Sequence, residues 1–137
     1  MQTNKVKIAV NIFDYIHSLD NEKLASRIAA EQIRQNKKIK IFIQINIGNE
    51  DQKLGVNKEN IFEFYKYCKN LNLHVIGTMC IPPKEGNSQK YFIEMNKINK
   101  ELNLLELSMG MSEDYLEAAK NNSTFIRIGS KIFGHRN

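Results

Sequence analysis

Short apolar strand patterns alternate with longer amphipathic helix patterns along this chain, at a spacing of roughly 25 to 35 residues. The predicted strands cover residues 13–19, 39–47, 73–81, 104–109 and 124–128. Helices predicted over 21–35, 58–69, 89–102 and 113–120 lie between them. Neighbouring parallel strands need a crossover connection, which a helix usually supplies. The alternation therefore predicts an α/β fold with a parallel sheet, and no linker or low-complexity segment divides it.

The predicted strand over 39–47 has two different faces. Isoleucine occupies every second position from 41 to 47, and successive side chains of a strand point to opposite faces. We expect the isoleucine face to meet the helices, and Phe42, Gln44 and Asn46 to share the other face, which points inward in a barrel. Five strands cannot close a barrel, so we expect Phe42 and Phe125 to be exposed to water.

The predicted helix over 21–35 carries Leu24, Ile28 and Ile33 on or near one face, which we expect to pack on the sheet. Cys68 and Cys80 are far apart in sequence and form no metal or redox motif. They are expected to be buried thiols of a cytoplasmic protein. The N-terminal residues lack a signal-peptide pattern, and no apolar run approaches the ~20 residues of a membrane span.

The net charge of +5 raises the question of nucleic-acid binding. The basic residues are mostly scattered lysines, and no basic stripe with interleaved aromatic residues is present. We therefore expect a solvated basic surface, with no nucleic acid and no membrane as a partner.

Two turns near the end of the chain predict a phosphate site. Ser112 stands at a helix N-cap position after one strand, and Gly129 and Ser130 follow the next strand. Backbone N–H groups at helix N-termini bind anions, and barrels often hold phosphate on the loops after their last two strands. Ordinary helix capping is the alternative explanation for the same residues.

Further candidate ligand contacts lie on or near the strand ends. Arg127 is expected on the inward face of the last strand, where a guanidinium needs a partner, either a ligand or a carboxylate such as Glu106. Asn46, Met79 and Ser108 are expected on the ligand side, where they either contact ligand or simply pack. His17 is expected to be a core histidine bonded to backbone rather than a catalytic group. We expect no catalytic residue and no metal site.

The chain resembles the pyridoxal-phosphate homeostasis proteins, single-domain barrels related to the N-terminal barrel of alanine racemase. The resemblance extends over nearly the whole sequence, and its most specific motifs are 107–112 and 127–130. Weaker matches are Gln2-Thr3-Asn4-Lys5, Ile16-His17-Ser18-Leu19-Asp20, Gln44-Ile45-Asn46-Ile47, Lys53-Leu54-Gly55 and Gly77-Thr78-Met79-Cys80-Ile81-Pro82.

The resemblance implies a partial (β/α)₈ TIM barrel comprising its last five βα units. Residues 1–137 would form a single incomplete domain without the N-terminal strands, one of which carries the lysine that forms a Schiff base with pyridoxal 5′-phosphate (PLP) in this family. It implies a non-catalytic PLP-binding and homeostasis protein, with PLP or phosphate held non-covalently and Arg127 at the pyridine nitrogen. The implied cofactor-binding residues are Asn46, Met79, Ser108, Gly110, Ser112, Arg127, Gly129 and Ser130.

An incomplete barrel is expected to self-associate or to pair with a complementary N-terminal barrel fragment. Two other functions remain open from the sequence. One is a fragment of a PLP-dependent racemase-like enzyme of fold type III. The other is an inert structural or interaction fragment.

Overall fold

The computed structural model describes residues 3–50, 54–83, 88–111 and 124–127. Five parallel strands form one sheet in the order β1-β2-β3-β4-β5, and helices connect successive strands. The strands are β1 Tyr15–Leu19, β2 Lys40–Gln44, β3 His74–Met79, β4 Glu106–Met111 and β5 Phe125–Arg127. The helices are α1 Thr3–Ile12, α2 Glu22–Gln35, α3 Ile61–Asn70 and α4 Ser88–Glu101, with a 3₁₀ turn Lys58–Asn60 before α3. The prediction of a parallel partial barrel is confirmed; the helix predicted over 113–120 lies outside the described residues.

Helix α1 is a feature that the sequence patterns did not predict. Its residues are rich in β-branched side chains, which have modest helix propensity. Val6, Ala9 and Val10 are nevertheless buried against the rest of the protein, so tertiary packing stabilises the helix. The Lys37 ammonium donates to the Asn11 carbonyl near the end of α1, and the Gln35 amide donates to the Lys7 carbonyl at 3.1 Å.

The helices end in a repeated way. Asn36, Asn72 and Asn103 follow α2, α3 and α4 and adopt left-handed backbone with φ of 52°, 59° and 58°. Asparagine tolerates this region better than most residues other than glycine. Each of these asparagines therefore stops a helix and turns the chain toward the next strand.

The main core lies between the sheet and the helices. All four isoleucines of residues 41–47 are buried in it, which confirms that their face meets the helices. In α2, Leu24 and Ile28 are buried as predicted, but Ile33 is 83% exposed. Gln32 occupies the next inward position instead, since it continues the four-residue spacing from Leu24 and Ile28. The Gln32 Oε1 atom accepts a hydrogen bond from the Ile39 N–H at 2.7 Å.

Strands β3 and β4 approach each other closely at Gly77, whose register partner is Glu106. A Cβ atom on Gly77 would lie 2.0 Å from the Glu106 carbonyl oxygen. Behind these strands, Asn99 of α4 donates to the same carbonyl at 2.8 Å and accepts from the Thr78 hydroxyl at 2.8 Å. This buried network fixes α4 against both strands. Among the described helices, none is long and apolar enough to cross a bilayer.

Candidate functional site

The face of the sheet away from the helices carries a row of side chains in register. Gln44 of β2 pairs with Met79 of β3, and Met79 pairs with Ser108 of β4. All three are buried, with exposures of 7%, 2% and 1%. None belongs to the helix-side core cluster. We refer to Gln44, Met79 and Ser108 as the concave row, because the sheet curls toward this face.

The curl is shown by a hydrogen bond across the sheet. The His17 Nδ1 atom of β1 lies 2.7 Å from the Ser108 Oγ atom of β4. The two strands are three positions apart in the sheet, and flat strands at that separation would be about 14 Å apart. The sheet must therefore bend until side chains of β1 and β4 meet. His17 is partly buried and contacts the Ser108 hydroxyl, and the expected bond to a backbone group stays a prediction.

Phe42 corrects a second expectation. Its ring is fully buried, although we expected an open sheet to leave it exposed to water. The His17 ring stacks on it with centroids 4.3 Å apart and an interplanar angle of 20°. The curl thus covers the face that a flat five-stranded sheet would expose.

Gln44 differs from the other polar residues of this face because its side-chain amide makes no hydrogen bond to another described residue. The sequence predicts Gln44 on the inward face but does not mark it as a candidate ligand contact. The alternation of the strand could have identified Gln44, because it places a primary amide on the inward face of an otherwise apolar strand.

Asn46 follows β2 and closes a loop. Its Nδ2 atom donates to the Glu50 carbonyl at 2.7 Å, and its Oδ1 atom accepts from the Glu50 N–H at 3.1 Å. The backbone of Asn46 also donates to the Val56 carbonyl at 2.9 Å. These contacts give Asn46 a clear structural role, and ligand contact stays a prediction for this residue.

A second tie fixes the segment beside β2. The Asp20 carboxylate, just after β1, accepts a hydrogen bond from the Gly55 N–H at 3.0 Å. Gly55 has φ of 118°, and a Cβ atom there would lie 2.5 Å from the Asn46 nitrogen. Glycine is therefore required where this segment packs against the end of β2.

The remaining predicted ligand residues are grouped at the far side of the sheet. Gly110 lies in β4, and Arg127 ends β5 opposite Met111. Both stand at the carboxyl end of their strands, the end where barrels bind ligands. Ser112, Gly129 and Ser130 lie outside the described residues, so the phosphate site stays a prediction.

The concave row combines apolar and polar side chains. Phe42 and Met79 are buried and apolar, and Gln44 and Ser108 place polar groups on either side of Met79. Burial raises the pKa of the Cys68 thiol to about 12, but that thiol lies in the helix-side core. Among the described residues, no group of three or more His, Cys, Asp or Glu side chains could hold a metal ion.

A groove of about 400 Å³ lies at the opposite end of the strands. Its lining includes the first residues of four strands, Tyr15, Lys40, His74 and Glu106. The Lys40 ammonium sits 5.3 Å from the centre of the Tyr15 ring. In barrels this amino-terminal end usually serves stability rather than ligand binding.

Comparison with known proteins identifies the family of this chain. The family model of the alanine racemase N-terminal domain matches residues 1–137. The pyridoxal phosphate homeostasis protein of Aquifex aeolicus is 38% identical over 99% of this chain, and that of Synechocystis is 36% identical over the same share. The chain spans 64% of the Aquifex protein, slightly less than two thirds, and 67% of the Synechocystis protein.

Solved structures give the same result. PipY of Synechococcus elongatus, determined without PLP, is 30% identical with a TM-score of 0.89. The comparison covers 98% of this chain and 67% of PipY. The same protein with PLP bound gives a TM-score of 0.88. Diaminopimelate decarboxylase of Helicobacter pylori, at 15% identity and a TM-score of 0.71, shares the fold.

Proposed function

Since this chain belongs to the family of the alanine racemase N-terminal domain, and within it to the pyridoxal phosphate homeostasis proteins, we propose that it is a non-catalytic carrier of PLP. The observation that carries the proposal is the concave row beside Phe42. A buried apolar surface with an amide and a hydroxyl fits a flat, polar-edged ring such as that of PLP. We treat residues 1–137 as part of one barrel domain, because the described strands share a single sheet and core.

The proposed site divides the ligand between two groups of residues. Ser112, Gly129 and Ser130, with the Gly110 backbone nearby, hold the phosphate through N–H groups and hydroxyls. Met79 and Ser108 contact the ring, and Asn46 shapes the adjoining loop.

PLP supplies an aldehyde and an electron-withdrawing ring wherever it is bound. We propose that the Arg127 guanidinium donates to the pyridine nitrogen. A cation at that atom disfavours protonation of the nitrogen, because two positive groups would face each other. A neutral ring is a weaker electron sink than a protonated one.

The test is a titration of the chain with PLP, followed by absorbance, with inorganic phosphate as a competitor. We expect saturable binding of PLP that phosphate reduces. Gly129→Val should weaken both ligands tenfold or more, because charge-assisted hydrogen bonds contribute about 1.5–3 kcal/mol each. Arg127→Ala is the matched control. It should weaken the binding of PLP and leave the binding of inorganic phosphate nearly unchanged. A wild-type chain that shows no saturable PLP binding would overturn the proposal.

We also propose that β1, the outermost strand of the described sheet, recruits another polypeptide. Within the described part of the chain, β1 pairs with β2 alone. Exposed strand edges tend to pair with further strands. The partner is a second copy or a chain that supplies other barrel units. Sedimentation at micromolar concentration should show species larger than 15.9 kDa, whereas a cooperative monomer would refute this pairing.

A cytoplasmic location completes the proposal. Cys68 and Cys80 are both buried and neither forms a disulfide, which agrees with thiols in a reducing compartment. Fractionation of cells that express a tagged chain tests this location. Recovery of the chain in an oxidising compartment would contradict it.

A further inference from the structure

Gln44 presents an unused hydrogen-bonding group inside the concave face. The residue is 7% exposed, and its amide bonds no other described residue. A primary amide offers two donor hydrogens and an accepting oxygen. No fully buried side-chain nitrogen or oxygen of the described residues lacks a hydrogen-bond partner, so the Gln44 amide, which makes no such bond, keeps part of its surface accessible to a ligand.

Gln32 shows what this chain does with a buried amide that serves the fold. It is also 7% exposed, but it lies on the helix side and accepts a hydrogen bond from the Ile39 N–H. Gln44 instead lies in register with Met79 and Ser108 on the concave face. The two glutamines are equally exposed, but only the Gln32 amide bonds the described protein. Gln32 is therefore a structural residue, whereas the Gln44 amide is available to a ligand.

The order of the strands indicates which part of a ligand Gln44 would meet. The phosphate and the pyridine nitrogen are assigned above to residues of the β4–β5 side. In PLP, ring carbon C6 lies between the nitrogen and the carbon that bears the phosphate arm. Carbon C3, which carries the phenolic oxygen O3′, lies directly across the ring from C6. Gln44 stands on β2, across Met79 from that side of the sheet.

We propose that Gln44 is a specificity-determining residue whose amide donates a hydrogen bond to the O3′ oxygen of a pyridoxal ligand. The proposal rests on the proposed function and extends it to the ring edge remote from the phosphate. Ser108, held by His17, meets the ring from the other side of Met79. The concave row then recognises a hydroxypyridine rather than any phosphorylated compound.

Gln44→Met tests the proposal because methionine is similar in shape and lacks the amide. We expect PLP to bind about tenfold more weakly, which corresponds to about 1.4 kcal/mol. Inorganic phosphate should bind as it does to wild type. The ligand-free variant should unfold at the same temperature or higher, since the amide that is removed makes no hydrogen bond to another described residue. Gln44→Glu, which lacks the donor, should weaken PLP at least as much.

Gln32→Met is the matched control, with the opposite expected pattern. It removes the bond to the Ile39 N–H, so the unfolding temperature should fall while the dissociation constant for PLP stays within about twofold of wild type. If Gln44→Met shows this control pattern instead, Gln44 is a structural residue and the proposal is wrong.

A ligand that lacks the oxygen completes the test. Wild type should bind 3-deoxypyridoxal 5′-phosphate about as weakly as Gln44→Met binds PLP. The Gln44→Met variant should bind the deoxy ligand only slightly more weakly still, because both changes remove the same hydrogen bond. Fully additive losses would refute contact with O3′. If wild type and Gln44→Met bind PLP equally well, this inference is wrong and the proposed function still stands. A wild type that binds no PLP would overturn both.

Discussion

Gly77→Ala tests whether the close approach of β3 and β4 is essential to the sheet. The added methyl carbon would lie 2.0 Å from the Glu106 carbonyl oxygen and 2.6 Å from its carbonyl carbon. Non-bonded heavy atoms prefer separations of about 3.5 Å, so the strands must move apart by about 1 Å or more. The obstacle is backbone, which cannot rotate away as a flexible side chain could.

The expected loss follows from two effects. Overpacking typically costs about 1–3 kcal/mol, and one weakened ladder hydrogen bond adds about 1 kcal/mol. We therefore expect Gly77→Ala to lower the free energy of unfolding by about 2–4 kcal/mol, a large share of the 5–15 kcal/mol typical of a domain. PLP binding should weaken as well, because Met79 and Ser108 pair only two residues further along the same strands.

Urea denaturation followed by circular dichroism measures the effect. His74→Ala, at an exposed position of the same strand, is the control and should stay within about 0.5 kcal/mol of wild type. A Gly77→Ala chain that also stays within that margin would show that β3 and β4 accommodate a side chain at this point. The steric reasoning would then be wrong.

Three further predictions concern stability and lysine chemistry. Burial raises the pKa of the Cys68 thiol from 9.0 to about 12, so the unfolded state loses its thiol proton first as pH rises. Urea titrations should therefore show the free energy of unfolding falling by up to about 1.4 kcal/mol per pH unit above pH 9. The slope should be smaller in Cys68→Ala. Asn99→Ala leaves the Thr78 hydroxyl and the Glu106 carbonyl without their shared partner, and should lower the free energy of unfolding by about 2–3 kcal/mol in the same assay. Among the described strands, the single lysine is Lys40 at the amino-terminal end of β2, so borohydride reduction with PLP and peptide mapping should find no lysine labelled mole for mole.

The sequence predicted the sheet well because strand periodicity is a local signal. The isoleucines of β2 alternate strictly, and their burial follows directly from that alternation. The sequence failed for α1, whose residues lack strong helix propensity and depend on packing against α2. It also predicted Ile33 on the buried face of α2. Gln32 and Ile33 are separated by only 100° around the helix, and the apolar side chain of Ile33 made it the more obvious candidate for burial.

The candidate site was predicted only in part for a related reason. Alternation placed Phe42 and Gln44 on the inward face, but no local pattern shows how strongly a sheet curls. The contact between His17 and Ser108 joins residues 91 positions apart and depends on the curvature of three intervening strand pairs. The burial of Phe42 beneath His17 follows from that curvature, so it could not be read from the sequence.

The long separation between His17 and Ser108 has a consequence for the order of events during synthesis. Ribosomes add about 5–20 residues per second, so Ser108 is made about 5–18 seconds after His17. Phe42 and Gln44 are made within that interval, well before the strand that completes the row. A nascent chain therefore presents the complete row to the proposed ligand only after β4 has been made and has docked.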